Sequence, residues 1–282
     1  MCIRIALLVA AIHGFSVPRA TVVAPAARAV ARHQRLQPPR LSPLGEAVAV
    51  NTGLAVVGVA TGATARALTP AGLVHAYALG VILLSSFVGW RGYGLCVLYL
   101  VGGSLATSVK KKEKEAAGIG EGRGGRRGPE NVWGSAATAA GCALLGGVAT
   151  GKRPLLALAF VASLATKLSD TLASEIGKAY GKTCYLSTTL ARVPPGTEGA
   201  VSLEGTVAGF FGSAVVAAAG AAVGLISWRP GVAIACGAAF VATTCESWLG
   251  ATAQGGWLTN EVINFVNTLI GALVAYAAGS VL

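Results

Sequence analysis

Apolar residues recur in long, almost unbroken runs along this chain, and polar residues are gathered in a few connections between them. A helix needs about 20 mainly apolar residues to cross roughly 30 Å of hydrocarbon. The first and fourth of the long runs are rich in Ala, Gly and Thr, so seven spans are an alternative to eight. The runs lie near residues 47–65, 71–90, 92–109, 132–150, 154–175, 205–226, 231–250 and 259–281.

The composition indicates a membrane protein rather than a soluble one. Of the 282 residues, 54% are hydrophobic and only 12% are charged, whereas soluble domains carry about 25% charged residues. The 39 glycines suit contact between transmembrane helices, because small residues let the backbones approach closely. We therefore expect an all-α fold, a polytopic transmembrane helix bundle of about seven or eight spans.

Two long polar connections interrupt the apolar runs, at residues 110–131 and 176–204. Two predicted spans separate them, so both loops should lie on one membrane face, together with the short connection at 251–258. Their excess of Lys and Arg is typical of a cytoplasmic face or, in a plastid, of the stromal face. Within the first connection, the lysine-rich stretch Lys110–Lys114 is expected to be solvated.

The first 45 residues differ from the rest of the chain. They contain six arginines and no acidic residue, which is typical of an organelle transit peptide. A short apolar stretch at Ile3–Phe15 precedes the basic part, and together they favour a plastid-type leader for a chloroplast envelope or thylakoid protein. The alternatives are a signal that directs the chain to the endomembrane system and a disordered cytosolic tail. Residues 46–282 then form a single polytopic membrane domain.

The fifth apolar run carries a stripe of six polar residues at helical spacing, including the only aspartate of the chain, Asp170. Ionisable groups at membrane depth are costly and are usually tied to function. We expect Asp170 and Glu175 to bind Mg²⁺, because such sites commonly combine one or two carboxylates with substrate phosphates. The alternative is a set of salt bridges within one helix. The stripe consists of Lys167, Asp170, Thr171, Ser174, Glu175 and Lys178.

The second polar connection contains a Pro-Pro-Gly turn at residues 194–196. Such a turn can bring Arg192, Thr197 and Ser202 close to an anionic ligand. An ordinary reversal of the chain is the alternative.

The first polar connection ends in a glycine-rich stretch followed by Arg126, Arg127 and Asn131. The planar guanidinium group matches the geometry of phosphate, so these residues are expected to contact phosphate. A solvated loop is the alternative.

Further polar residues lie near the last two apolar runs. Glu246 and Glu261 suit metal binding or proton transfer, and Asn260 and Asn264 suit contact with phosphate. For Asn267, deeper in the predicted helix, a hydrogen bond between helices is an equally good explanation.

In their order, these motifs resemble those of the transmembrane protein 19-like membrane family, over about residues 47–282. The family includes plant and cyanobacterial phytyl-phosphate kinases of the vitamin E pathway. The shared motifs are Gly128-Pro-Glu-Asn-Val132, Asp170-Thr-x-x-Ser-Glu-x-Gly177, Val193-Pro-Pro-Gly-Thr-x-Gly-x-Val-Ser202, Glu246-Ser-x-x-Gly-Ala251 and Asn260-Glu-x-x-Asn-x-x-Asn-Thr268.

The resemblance implies a nucleotide-dependent kinase, with CTP as the expected phosphoryl donor and phytyl or a related prenyl monophosphate as the acceptor. The product would be phytyl diphosphate for tocopherol synthesis. The alternatives are a prenyl-phosphate kinase of different substrate and an ion-coupled membrane transporter, since charged residues within helices also mark such carriers. A transporter would be expected to place its site near the midplane and often shows internal repeats, whereas here the charges gather at one interface.

The resemblance supplies no catalytic residues, so the site is predicted from the residues themselves. It should form where 110–131, 167–205 and 246–268 converge, because phosphoryl transfer needs positioning and charge neutralisation more than covalent chemistry. The predicted catalytic residues are Asp170, Glu175, Lys167, Glu246 and Glu261, the first two as Mg²⁺ ligands. The predicted phosphate-binding residues are Arg126, Arg127, Asn131, Lys178, Arg192, Thr197, Ser202, Asn260 and Asn264.

Overall fold

The computed structural model describes residues 42–253 and 258–282. The leader predicted at residues 1–45 lies outside this part of the chain, apart from its last four residues. It stays a prediction.

Helices make up most of the described chain, and eight of them coincide with the eight predicted apolar runs. In chain order they are α1 (Pro43–Ala60), α2 (Ala63–Ala67), α3 (Pro70–Ser85), α4 (Gly89–Ser108), α5 (Lys111–Ala116), α6 (Pro129–Val148), α7 (Arg153–Tyr180), α8 (Leu203–Ala222), α9 (Gly231–Ala253) and α10 (Asn260–Ser280). The short helices α2 and α5 belong to connections, as do 3₁₀ turns at Gly122–Gly125 and Thr150–Lys152.

Several helices begin where the sequence provides a capping residue. The hydroxyl oxygens of Ser42, Thr69 and Ser202 each accept a hydrogen bond from the backbone N–H three residues later. Each bond satisfies a donor that the first helical turn leaves without a partner. Proline follows the cap in α1 and α3, at a position where its missing N–H is not needed.

Helix α7 is the centre of the bundle. Residues 156–170 are all buried, and α4, α6, α8, α9 and α10 pack around them. From residue 154 to residue 162, α7 is apolar on every side, as expected for a helix without a solvent-facing surface. Its C-terminal half carries the polar stripe.

Glycines on one face of α8 let it approach α7 closely. A Cβ atom at Gly209 would lie 2.9 Å from the carbonyl oxygen of Ser169, and one at Gly212 would lie 3.1 Å from that of Leu168. These contacts are with backbone atoms, which cannot turn away as a side chain can. The small-residue face therefore sets the distance between the two helices.

The second polar connection contains a small antiparallel sheet that the sequence did not predict. Its strands are β1 (Cys184–Leu186), β2 (Arg192–Val193) and β3 (Ala200–Ser202), in the order β2-β1-β3. Cys184 lies opposite Val193 on one side and Ser202 on the other. The Pro-Pro-Gly turn joins β2 to β3, with Gly196 at a φ of 85° that favours glycine.

The two polar connections meet at the same end of the bundle, as predicted. A Cβ atom at Gly196 would lie 2.6 Å from the side chain of Ile119 in the first connection. The hydroxyl of Ser187 donates a hydrogen bond of 3.0 Å to the carbonyl oxygen of Ser247 in α9. The sheet is therefore fastened both to the other loop and to the bundle.

The helices have the length and surface of a membrane protein. Within the described residues, five helices, α1 and α7 to α10, are long and apolar enough to cross a membrane. Large apolar side chains such as Val56, Phe211 and Leu273 are exposed on the outside of the bundle, where a bilayer would solvate them. The predicted polytopic transmembrane helix bundle is confirmed.

Candidate active site

A polar cavity of about 340 Å³ lies between the two polar connections and the adjacent helix ends. Residues 120–122 and 196–202 come from the two connections, and the C-terminal half of α7 provides the longest wall. The remaining wall comes from the last turns of α9 and the first turns of α8 and α10. The cavity therefore lies at one end of the bundle.

All six residues of the α7 stripe line this cavity. Lys167, the deepest of them, is level with Asn264 in the second turn of α10. Helix α7 continues from there to Tyr180, roughly 20 Å further along its axis. The stripe thus runs from the interior of the bundle out to the polar loops.

Lys167 joins α7 to α10 at the inner end of the cavity. Its ammonium group donates hydrogen bonds of 2.5 Å to Asp170 Oδ2 and 2.6 Å to Asn264 Oδ1. All three side chains are buried or half-buried. The positive charge of Lys167 balances the negative charge of Asp170, and this pairing lowers the free-energy cost of burying them.

Glu175 pairs with a lysine from the first polar connection. The ammonium group of Lys114, in α5, donates to Glu175 Oε2 and, at 3.1 Å, to the carbonyl oxygen of Thr107. Lys178 lies 3.7 Å from Glu175 Oε1, an atom for which the described chain offers no hydrogen bond. The prediction of a solvated Lys114 is wrong, since only 3% of its side chain is exposed.

More acidic than basic residues line the cavity. Its acidic residues are Glu121, Asp170, Glu175, Glu198 and Glu246, and its lysines are Lys167 and Lys178. Such an arrangement repels a free polyphosphate and attracts cations. A phosphate group would therefore be accommodated best together with a divalent cation.

The acidic residues fit Mg²⁺ that is shared with a phosphate ligand. Asp170 and Glu246 come from different helices and line the same cavity. No group of three or more His, Cys, Asp or Glu with metal-binding geometry occurs in 42–253 or 258–282. Mg²⁺ usually needs only one or two carboxylates when substrate phosphates and water complete its shell.

Five of the predicted site residues do not line the cavity. Arg127 instead donates a hydrogen bond of 2.6 Å to the hydroxyl of Tyr99, behind the cavity wall. Asn131 caps the start of α6, because its side-chain oxygen accepts a hydrogen bond of 2.9 Å from the N–H of Gly128. The side-chain amide of Asn131 also donates a hydrogen bond of 3.4 Å to Glu261 Oε1. The five are Arg126, Arg127, Asn131, Arg192 and Glu261.

The other nine predicted residues do line the cavity. Ser202 also caps α8, because its hydroxyl oxygen accepts from the N–H of Gly205 at 3.1 Å. The nine are Lys167, Asp170, Glu175, Lys178, Thr197, Ser202, Glu246, Asn260 and Asn264.

The sequence-based prediction missed three charged residues of this region, Lys114, Glu121 and Glu198. Glu198 lies within the Pro-Pro-Gly-Thr motif and Glu121 within the glycine-rich stretch, so proximity to those motifs was an available signal. Nothing in the sequence separates Lys114 from the neighbouring exposed lysines.

The thiol of Cys184 also lines the cavity. Burial raises its pKa, and the carboxylate of Glu204 acts in the same direction. The thiol is therefore protonated at neutral pH and is not poised to act as a nucleophile.

Comparisons with known proteins identify the family of this chain. An uncharacterized membrane protein of Synechocystis is 56% identical over 215 residues, covering 74% of this chain and 82% of that protein. The chloroplastic protein VTE6 of Arabidopsis thaliana is 45% identical over 222 residues, and the match covers 74% of this chain but only 64% of VTE6. An uncharacterized membrane protein of Methanocaldococcus jannaschii is 26% identical over 224 residues, covering 74% of this chain and 84% of that protein.

No solved structure matches the chain. Residues 53–272 match the family described as integral membrane protein DUF92, and this match confirms the resemblance drawn from the motifs. The chain belongs to the DUF92 family of integral membrane proteins.

Proposed function

We propose that the protein is a prenyl-phosphate kinase, which transfers the γ-phosphoryl group of a nucleoside triphosphate to phytyl monophosphate. The product, phytyl diphosphate, would serve tocopherol synthesis. The similarity to VTE6 and the phytyl-phosphate kinases implied by the shared motifs support this substrate. The observation that carries the proposal is the acid-rich, lysine-containing cavity at one end of a transmembrane bundle.

The position of the cavity suits a lipid phosphate. A prenyl monophosphate keeps its hydrocarbon chain in the bilayer and its phosphate at the boundary with water. The cavity lies at one end of the bundle, which supports the kinase over an ion-coupled transporter with a site near the midplane.

The reaction requires little of the protein beyond positioning and charge neutralisation. A non-bridging oxygen of the acceptor phosphate attacks the γ-phosphorus and forms the new P–O bond. The bond from that phosphorus to the β,γ-bridging oxygen breaks, and the nucleoside diphosphate leaves with the electron pair. The acceptor is already an anion, so no general base has to remove a proton.

Lys167 and Lys178 are the proposed phosphate-binding cations, at the inner and outer ends of the α7 stripe. Thr197, Asn260 and Asn264 would donate further hydrogen bonds from the opposite walls. When a phosphate enters, Lys167 can exchange its bond to Asp170 for one to a phosphate oxygen. Asp170 is then free to bind a cation that accompanies the substrate.

Asp170 and Glu246 are the best placed of the acidic residues to hold Mg²⁺, with Glu175 as the predicted ligand further out. When bound, the ion would neutralise charge on the phosphates during transfer. The arginines predicted to bind phosphate, Arg126, Arg127 and Arg192, are left without a role in the present arrangement of the cavity.

The expected phosphoryl donor is CTP, and the expected location is a plastid membrane. The leader composition supports the location, as does the similarity to a protein described as chloroplastic. Fusion of residues 1–45 to a fluorescent protein would test the location, and retention in the cytosol would contradict it.

The direct test uses membranes from a host that expresses the full chain. Phytyl monophosphate, Mg²⁺ and each of CTP, ATP, GTP and UTP are supplied in turn, and phytyl diphosphate is quantified by mass spectrometry. We expect product with at least one nucleotide, most with CTP. Absence of product with all four would reject the kinase.

A further inference from the structure

A second groove, mainly apolar, opens beside the polar cavity between α8 and α9. Its volume is about 290 Å³, and α7 forms its floor. Five residues, Ala173, Val201, Thr206, Thr243 and Ser247, line both the groove and the polar cavity. The two spaces are therefore adjacent, with these five residues between them.

The groove runs along the helix axes, from the polar end of the bundle towards its middle. Helix α8 begins at the polar end and α9 ends there. The lining residues extend from Thr206 to Ser213 on α8 and from Trp248 back to Phe240 on α9. Each stretch corresponds to roughly 10 Å of helix, directed away from the charged residues.

The mouth of the groove faces sideways, on the outer surface of the bundle. Phe210, Phe240 and Trp248 border it, and each is more than half exposed. In a membrane protein such side chains face lipid, and tryptophan is enriched near the interface. A hydrocarbon chain in the bilayer could enter this groove without crossing the polar loops.

We infer that this groove holds the prenyl chain of the acceptor, which enters from the bilayer between α8 and α9. The inference rests on the proposed function, and it adds a location for the lipid part of the substrate. A polar cavity directly beside an apolar groove matches an amphiphile whose phosphate lies in the first and whose chain lies in the second. A water-soluble phosphate would need only the cavity.

The groove offers a substitution that fills it without touching the polar cavity. Thr244 lines the groove and is exposed, and its hydroxyl donates a hydrogen bond of 2.8 Å to the carbonyl oxygen of Phe240 in its own helix. Thr244→Trp would place an indole ring across the groove. Val241→Trp is the matched control, because Val241 is 44% exposed on the same helix and lines neither space.

The first measurement is photolabelling, which does not require turnover. A C20 prenyl monophosphate with a diazirine in its chain is irradiated with the full-length protein in vesicles, and the labelled peptides are identified. We expect labels in 203–222 and 231–253 that unlabelled phytyl monophosphate displaces and excess phospholipid does not. In Thr244→Trp the indole ring should exclude about two methylene groups of the prenyl chain from the groove, which weakens binding roughly tenfold. Thr244→Trp should therefore lower labelling by about that factor, and Val241→Trp should not.

Labels that lie mainly on other helices, that phospholipid displaces, or that Thr244→Trp leaves unchanged would overturn the inference. A measurement of turnover then distinguishes failure of this inference from failure of the proposed function. If wild type makes phytyl diphosphate but the labels lie elsewhere, the groove is wrong and the kinase stands. If the labels lie in the groove but no nucleotide supports turnover, the lipid site stands and the kinase fails.

Discussion

One buried ion pair joins two parts of the chain that are far apart in sequence. Lys114 and Glu175 are 61 residues apart in sequence, yet only 3% and 2% of their side chains are exposed. Removing one partner leaves the other charged in a medium that solvates it poorly. The pair therefore fastens the first polar connection to α7, at the outer end of the cavity.

Lys114→Met should destabilise the protein by roughly 3 kcal/mol, because it leaves Glu175 without a full counter-charge. The double variant Lys114→Met with Glu175→Gln should recover most of this loss. Thermal unfolding in detergent measures both effects. A single variant as stable as wild type would show that the pair does not hold the connection in place.

The pair Lys167–Asp170 separates the two explanations of the α7 stripe. If it is only a salt bridge, Lys167→Met with Asp170→Asn should restore both stability and activity. We expect it to restore stability alone, while kcat/KM for phytyl monophosphate stays lower by roughly 10²-fold or more, because charge stabilisation of the transferred phosphate is lost. Recovery of activity in the double variant would favour the structural explanation.

At this scale, nine of the predicted site residues line the cavity, and helical periodicity supplied the four on α7, Lys167, Asp170, Glu175 and Lys178. It succeeded on α7 because a helix fixes which residues share a face. It failed for Arg126, Arg127 and Arg192, because the direction of a loop side chain depends on contacts that are distant in sequence. Tyr99, the partner of Arg127, lies on α4 and could not be assigned to it beforehand.

Among the elements, the helices were predictable and the sheet was not. Long apolar runs with Ser or Thr caps and Pro at the first turn mark helix bounds. The strands of the second connection are only two or three residues long, too short to show alternation. Their pairing depends on the turn at Gly196 and on contact with α9.

The contact between α7 and α8 gives a prediction about helix packing. Gly212→Val should destabilise the bundle by about 1–3 kcal/mol, because the added carbons meet the backbone of Leu168 and the helices have to move apart. Gly237→Val is the control, since a Cβ atom at Gly237 meets nothing within 4 Å. Comparison of their unfolding temperatures in detergent checks the prediction, and equal values would contradict it.

On the scale of the whole molecule, three segments that are far apart in sequence form one cavity. Hydropathy predicted that 110–131, 167–205 and 246–268 reach the same membrane face, since two spans separate the two long connections. It could not predict that the cavity would be acid-rich, because that depends on which charges point inward. Because acidic residues outnumber basic residues in the lining, a phosphate that is accompanied by a divalent cation fits the cavity best.

The central claim is that this cavity transfers phosphate, and Asp170→Asn in otherwise intact protein tests it most directly. Transfer of the γ-phosphoryl group from labelled nucleotide to phytyl monophosphate is measured for wild type, Asp170→Asn and the control Glu113→Gln, whose side chain is 71% exposed on α5. We predict equal transfer by wild type and the control, and a loss of roughly 10²-fold or more in Asp170→Asn, with all three proteins present at the same level in the membrane. Undiminished transfer by Asp170→Asn would contradict the account.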